Sequence, residues 1–149
     1  MSFRIEHRIG VQAPAAEVWA MIADLARWSE WNPSYPEISG RLAIGEPLRF
    51  TFAPPGGKPR AMTGTVLDWV PDSQLVWTLK LLGGALRTTR YVEIEILTET
   101  GCILSNGERF EGLAAQLMPR ALRGRIHRAF VAMNEAAKAR AEQRWTARA

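Results

Sequence analysis

Little in this chain offers ready-made chemistry. Its 149 residues include one cysteine, Cys102, so no intramolecular disulfide can form and the thiol content gives no sign of an oxidising compartment. No stretch approaches the ~18 consecutive apolar residues that a membrane-spanning helix needs, so integral membrane association is not expected. Met1 to Gly10 alternates charged and apolar residues. It has neither the long apolar region nor the small-residue cleavage site of a secretory signal. These absences make a water-soluble, cytoplasmic protein the expectation.

The familiar catalytic and phosphate-binding motifs are missing as well. There is no Gly-rich phosphate loop, no HExxH, no paired cysteine and no GxSxG elbow. Gly56-Gly57-Lys58 lacks the earlier glycine and the following Ser or Thr, and reads as a loop. The two histidines, His7 and His127, lie far apart. A metal site would need carboxylates that the sequence does not place, so neither a metal nor another cofactor is implied. His7 reads as a core or rim residue held by a hydrogen bond, His127 as the edge of a helix stripe, and Cys102 as a small core residue.

The formal net charge is +4. Much of the excess lies in Arg120, Arg123, Arg125, Arg128, Lys138, Arg140, Arg144 and Arg148. Because an apolar stripe interleaves them, they read as the solvated face of a helix and not as a nucleic-acid surface.

The patterns that are present describe one domain over residues 1–149, without repeats, low-complexity tracts or linkers. From Phe3 to Val11 apolar residues fall on odd positions, the period of a half-buried strand. Pro14 opens a short amphipathic helix from Ala15 to Leu25, with Val18, Trp19, Ile22 and Leu25 at three- and four-residue spacing. Arg27 to Pro36 predicts a short helical turn ending at Asn32-Pro33, since a residue before proline is steered away from helix. Six strand-like runs follow: Glu37–Leu42, Pro47–Ala53, Arg60–Val70, Gln74–Leu82, Leu86–Leu97 and Cys102–Glu111, divided by Gly- and Pro-containing turns. Leu122, Ile126, Phe130, Met133 and Ala137 then line one side of a helix from about Pro119 to about Arg144. This order predicts an α+β, helix-grip fold: a seven-stranded, curved antiparallel sheet wrapped around a long C-terminal helix, with two short helices after the first strand.

Ala13-Pro14, Val18-Trp19, Asp24, Trp28 and Trp31-Asn32-Pro33 occur in that order near the start. Gly64-Thr65-Val66-Leu67 with Leu75-Val76-Trp77 follows. Then come Glu108-Arg109-Phe110-Glu111-Gly112-Leu113, Phe130-Val131-Ala132-Met133-Asn134 and Lys138-Ala139-Arg140-Ala141-Glu142. This ordered set resembles the START-related (SRPBCC) superfamily, within it the polyketide cyclase/dehydrase-like group, over nearly the whole chain. The resemblance implies a container for a hydrophobic small molecule of lipid, polyketide or aromatic type. It does not fix a function, because members of such a superfamily bind or transform very different ligands.

The polar residues that break an apolar face carry the most information. Alternation in Leu86–Leu97 puts Arg90 and Thr88 on the inner face with Val92, Ile94 and Ile96. In the next strand it brings Asn106 and Glu108 inward with Cys102, Leu104 and Phe110. A hairpin pairing Ile96 with Cys102 sets Arg90 opposite Glu108, a buried pair whose partners offset each other's desolvation. Two readings stand: a pair that only satisfies two charges, or an anchor for a polar group of a ligand. The apolar wall of the expected cavity comes from Phe50, Phe52, Val66, Leu75, Trp77, Leu79, Val92, Ile94 and Leu104, and from Leu122, Ile126, Phe130 and Met133 on the long helix, with Asn106 among them. The same residues could equally fill a solid core. Trp28, Trp31 and the 54–59 loop are candidates for the mouth, although Trp31-Asn32-Pro33 also suits a fold-determining turn.

Three functions follow: a carrier or sensor of a hydrophobic ligand, as a monomer or homodimer; a cyclase or dehydratase-type enzyme in which Glu108, His7 or Tyr91 exchanges a proton; or a surface for an anionic membrane or partner built on the C-terminal arginines. A Glu108 free of Arg90 and beside His7 favours the enzyme, and a paired Glu108 favours the binder.

Overall fold

The structure, a computed structural model, describes residues 2–148. Seven antiparallel strands form one sheet: β1 Ser2–Val11, β2 Glu37–Gly40, β3 Pro47–Phe52, β4 Arg60–Val70, β5 Gln74–Leu81, β6 Leu86–Thr98 and β7 Gly101–Glu111. Their spatial order is β1-β7-β6-β5-β4-β3-β2. Every strand from β2 to β7 therefore pairs with its sequence neighbour, and β1 closes against the last. Helix α1 (Ala15–Ala23) and a 3-10 turn (Leu25–Glu30) connect β1 to β2, and the 29-residue helix α2 (Arg120–Arg148) ends the fold. At 1.5 Å per residue α2 spans about 43 Å, enough to cross the sheet. It packs against β1, β7 and α1. No helix among the described residues is long and apolar enough to cross a membrane.

Alternation does the sorting. In β6, Leu86, Thr88, Arg90, Val92 and Ile94 are buried while Arg87, Glu93 and Glu95 are exposed. The concave face receives the buried stripe of α2, Ile126, Phe130, Met133, Ala137 and Ala141. Each large apolar side chain removed from water there contributes about 1.5–3 kcal/mol. An irregularity in β4 between Val66 and Asp68 leaves Leu67 outside. Beyond it Trp69 stacks on Trp19 of α1, ring centroids 6.4 Å apart, which ties the connecting helix to the sheet.

Several expectations needed correction. β2 stops at Gly40, not Leu42, and the chain bends through 42–45; Gly40 has φ +142°, and a Cβ there would lie 2.6 Å from the Pro47 carbonyl oxygen. The long helix runs one turn past Arg144, to Arg148. Trp28 is no mouth residue: it is fully buried, and its Nε1–H donates to the Ile22 carbonyl at 3.0 Å. Leu122, placed on the cavity wall, is 37% exposed. Each four-residue step turns a helix roughly 40° past a full revolution, so Leu122 has drifted away from the Phe130 face.

Of the two readings of Trp31-Asn32-Pro33, the geometry is that of a turn. Asn32 Oδ1 accepts from the backbone N–H groups of Ser34 and Tyr35 at 3.1 and 3.2 Å. Ser34 Oγ donates to the Ala129 carbonyl of α2 at 2.6 Å. This side-chain turn fixes the chain to the long helix and sends Tyr35 into the interior, where it is 0% exposed.

Candidate functional site

The register expected for the last hairpin is the one observed. Ile96 faces Cys102, Ile94 Leu104, Val92 Asn106 and Arg90 Glu108. On the other side Arg90 faces Trp77 of β5, and Glu108 faces Ile5 of β1. One rung across four strands thus reads Trp77, Arg90, Glu108, Ile5. Arg90 Nε donates to Glu108 Oε2 at 3.0 Å and Nη1 donates to the Tyr35 hydroxyl at 3.0 Å. The side chains of the pair are 3% and 1% exposed. The guanidinium carbon lies 4.1 Å from the Phe52 ring centroid and 5.5 Å from that of Phe50. Aromatic faces therefore supply part of the environment that replaces water.

This environment sets the protonation states. Burial drives the Tyr35 phenol up to about 12 against the partial opposition of Arg90, so it stays neutral and serves as an acceptor for Arg90. Burial alone would lower Arg90, but Glu108 and Tyr35 together raise it above its ordinary value, which keeps it charged. Removing one partner of such a pair leaves an uncompensated buried charge and typically costs about 3–5 kcal/mol.

Polar capacity is left over around this cluster. Glu108 Oε1, Trp77 Nε1 and Thr88 Oγ1 are buried and have no hydrogen-bond partner among the described residues. Thr88 sits one inward position from Arg90 on β6, between Leu79 and Phe110. The unspent carboxylate oxygen, indole N–H and hydroxyl therefore belong to adjacent inward positions of β5, β6 and β7. Next to them, Asn106 Nδ2 donates to the Met133 thioether at 3.1 Å, a weak acceptor.

His7 belongs to a different set of contacts. Asn134 Nδ2 of α2 lies 2.9 Å from its Nδ1 and donates to its carbonyl oxygen at 3.0 Å. His127 approaches edge-on, with ring centroids 6.0 Å apart. Burial and then the neighbouring His127 hold His7 below its usual pKa, with Glu135 opposing. Glu108 is thus tied to Arg90, and His7 to α2. Tyr91 points to the convex face as alternation predicts, where its hydroxyl donates to Glu6.

Phe50, Phe52, Val66, Leu75, Trp77, Leu79, Val92, Ile94, Leu104, Ile126, Phe130 and Met133 are all buried in one core cluster. The open space expected beside α2 is occupied by rings. Tyr35 lies 5.5 Å from Phe50 and 5.3 Å from Phe52, and Phe52 lies 6.3 Å from Phe130, centroid to centroid. A groove of about 570 Å³ lies instead at the β2 end of the sheet, lined by Leu25, Ile38, Phe50 and Met62 among others. Ile38, Phe50 and Met62 share one rung of β2, β3 and β4. Phe50 is common to both: it lines the groove, and its ring lies 5.5 Å from the Arg90 guanidinium carbon. Tyr35 is the central residue that sequence reasoning missed. The Asn32 turn was the available signal.

Residues 2–142 match the family described as polyketide cyclase/dehydrase and lipid transport. No curated protein matches this sequence. Solved structures share the fold at low identity. The Zhui aromatase/cyclase from a Streptomyces strain superposes with a TM-score of 0.79 at 18% identity, covering 97% of this chain and 96% of that one. A START superfamily protein from Mycobacterium smegmatis gives 0.73 at 16%, covering 94% and 97%. Norcoclaurine synthase from Thalictrum flavum gives 0.67 at 13%, covering 97% and 96%.

Proposed function

We propose that this chain, which belongs to the polyketide cyclase/dehydrase and lipid transport family, holds a hydrophobic small molecule whose hydroxyl end meets the buried Tyr35–Arg90–Glu108 cluster. The observation that carries the reading is the trio of unpartnered atoms, Glu108 Oε1, Trp77 Nε1 and Thr88 Oγ1. A carboxylate oxygen only accepts, an indole N–H only donates, and a threonine hydroxyl does either. A ligand hydroxyl both donates and accepts, so one group can serve the two opposite needs. Each buried polar atom left unpaired costs about 1–3 kcal/mol, and binding of such a group recovers part of that. The apolar remainder of the ligand occupies the groove of about 570 Å³, a size within the roughly 300–1,000 Å³ of small-molecule sites. A swing of the Phe50 ring joins groove to cluster.

Support for a carrier or sensor, as against a cyclase or dehydratase, comes from how the acid–base candidates are engaged. One oxygen of Glu108 is bound to the charged Arg90, Tyr35 holds its proton to about pH 12, and His7 is bound to Asn134. The test compares 2-naphthol with naphthalene, probes of nearly equal size that differ by one hydroxyl, by calorimetry. Tenfold in affinity corresponds to about 1.4 kcal/mol, so 2-naphthol binds about tenfold or more tightly, and Trp77→Phe reduces the preference. Equal affinities, or a preference unchanged in Trp77→Phe, would overturn the reading.

A further inference from the structure

Three segments bring leucines to the surface at one end of the molecule. Leu82, at the tip of the β5–β6 hairpin, is 72% exposed; Leu113 and Leu117, between β7 and α2, are 92% and 80% exposed; Leu122 opens α2. The first two segments are joined, since Ala114 N–H donates to the Ala85 carbonyl at 3.0 Å. Burial does not explain these side chains, and at Leu82 neither does the backbone. Leu82 has φ +53°, a left-handed conformation that costs an L side chain free energy and that glycine adopts freely. Two glycines follow it, yet the exposed position carries a leucine.

The charge around these leucines has one sign. From Gly112 to Asn134 there is no acidic residue, while Arg120, Arg123, Arg125 and Arg128 all occur. The first turn of α2 contains no acidic side chain. Arg120 and Arg123 stand in the first turn, at the positive end of the helix dipole, the reverse of what stabilises a helix. Among the described residues none of the four arginines is ion-paired. Arg123 instead lies over the Phe3 ring, 4.0 Å from its centroid. Two local stability rules are thus broken in one region, one at Leu82 and one at the start of α2, and both leave groups for a partner to take up.

We propose that this end docks on an anionic phospholipid surface, with the leucines among the acyl chains and the arginines on the headgroup phosphates. Guanidinium groups pair with phosphate in a bidentate fork, and each basic residue near such a surface adds to the attraction. The shape favours a bilayer over an acidic protein. The exposed leucines are spread over the β5–β6 hairpin, the β7–α2 connection and the start of α2, and leucine is under-represented among the anchors of protein interfaces. Docking here goes beyond the ligand reading and is tested without any ligand. It also gives the site a direction: β6 starts at Leu86, beside the docking tip, and Arg90 lies four residues along it, roughly 13 Å at 3.3 Å per residue.

The test is flotation of the full chain with vesicles of phosphatidylcholine alone or mixed with phosphatidylglycerol, at low and high salt. The expected result is binding to the mixed vesicles only, weakened by salt. The double variant Leu113→Ser, Leu117→Ser lowers that affinity about tenfold or more, because two apolar side chains no longer leave water for the acyl chains. Leu97→Ser, an exposed leucine on β6, leaves it unchanged. Absence of binding at low salt, as for a surface shaped to an acidic protein, overturns the proposal. So does binding that the double variant leaves intact, which marks plain adsorption by charge.

Discussion

The two faces of the sheet at β1, β7 and β6 meet the same kinds of side chain and put them to opposite uses. On the concave face Tyr35, Arg90 and Glu108 are each 3% exposed or less. On the convex face Tyr91, Arg4 and Glu6 make a similar set: the Tyr91 hydroxyl donates to Glu6, Arg4 lies 5.5 Å from the ring centroid, and Arg4 and Glu6 are 3.5 Å apart. Outside, however, the Arg4 side chain is 49% exposed and Glu6 26%, so water replaces whatever a partner withdraws. Inside, each group depends on the others, and any capacity they leave unspent is available to a ligand alone. The lesson is that the chemistry of a residue set does not make a site; desolvation does.

The largest expected effect separates the faces directly. Glu108→Ala leaves Arg90 buried without its partner and lowers stability by about 3–5 kcal/mol, measured by urea unfolding. A loss no larger than that of an exposed pair would break the comparison. The second effect is alkaline. The chain has two tyrosines; burial raises both phenols, Tyr35 to about 12 and Tyr91 further with the help of Glu6. The folded state keeps a proton that the unfolded state releases near pH 10. The contribution of Tyr35 is therefore complete below pH 10 and disappears as the pH rises through about 12. Two pH units correspond to about 3 kcal/mol. Tyrosinate absorbance accordingly stays low at pH 10 and rises together with unfolding; half-ionised tyrosine in the folded chain at pH 10 would contradict it. The smallest effect belongs to the convex face. Arg8 and Glu95, 3.1 Å apart with side chains 55% and 62% exposed, form a pair worth about 0–1 kcal/mol, so Glu95→Ala unfolds at nearly the wild-type urea concentration.

The parts of the molecule governed by a period were legible in the sequence. Because strand side chains alternate and a short hairpin fixes register, Arg90 could be set opposite Glu108 from spacing alone, and the observed pairing agrees. The four-, four-, three- and four-residue spacing of α2 likewise gave Ile126, Phe130 and Met133 as buried, failing only at Leu122, where four-residue steps accumulate rotation. The illegible parts were those decided by a single side chain. Tyr35 lies in a segment with no period, and the Asn32 carboxamide directs it inward. Alternation sets Tyr91 on the convex face, yet it is only 6% exposed. It lies over Gly107, where a Cβ would come 2.3 Å from its hydroxyl oxygen. The filling of the space beside α2 depends on Tyr35 and on ring packing in three dimensions, which no one-dimensional pattern records.

The most direct measurement is on Trp77, whose indole N–H is one of the unspent donors. The six tryptophans give six indole N–H resonances, and the Trp77→Phe variant identifies the one from Trp77. Titration with 2-naphthol shifts that signal strongly, and naphthalene at equal saturation does not. A Trp77 signal that responds equally to both probes, or to neither while 2-naphthol binds, would contradict the assignment of the Tyr35–Arg90–Glu108 cluster as the polar end of a ligand site.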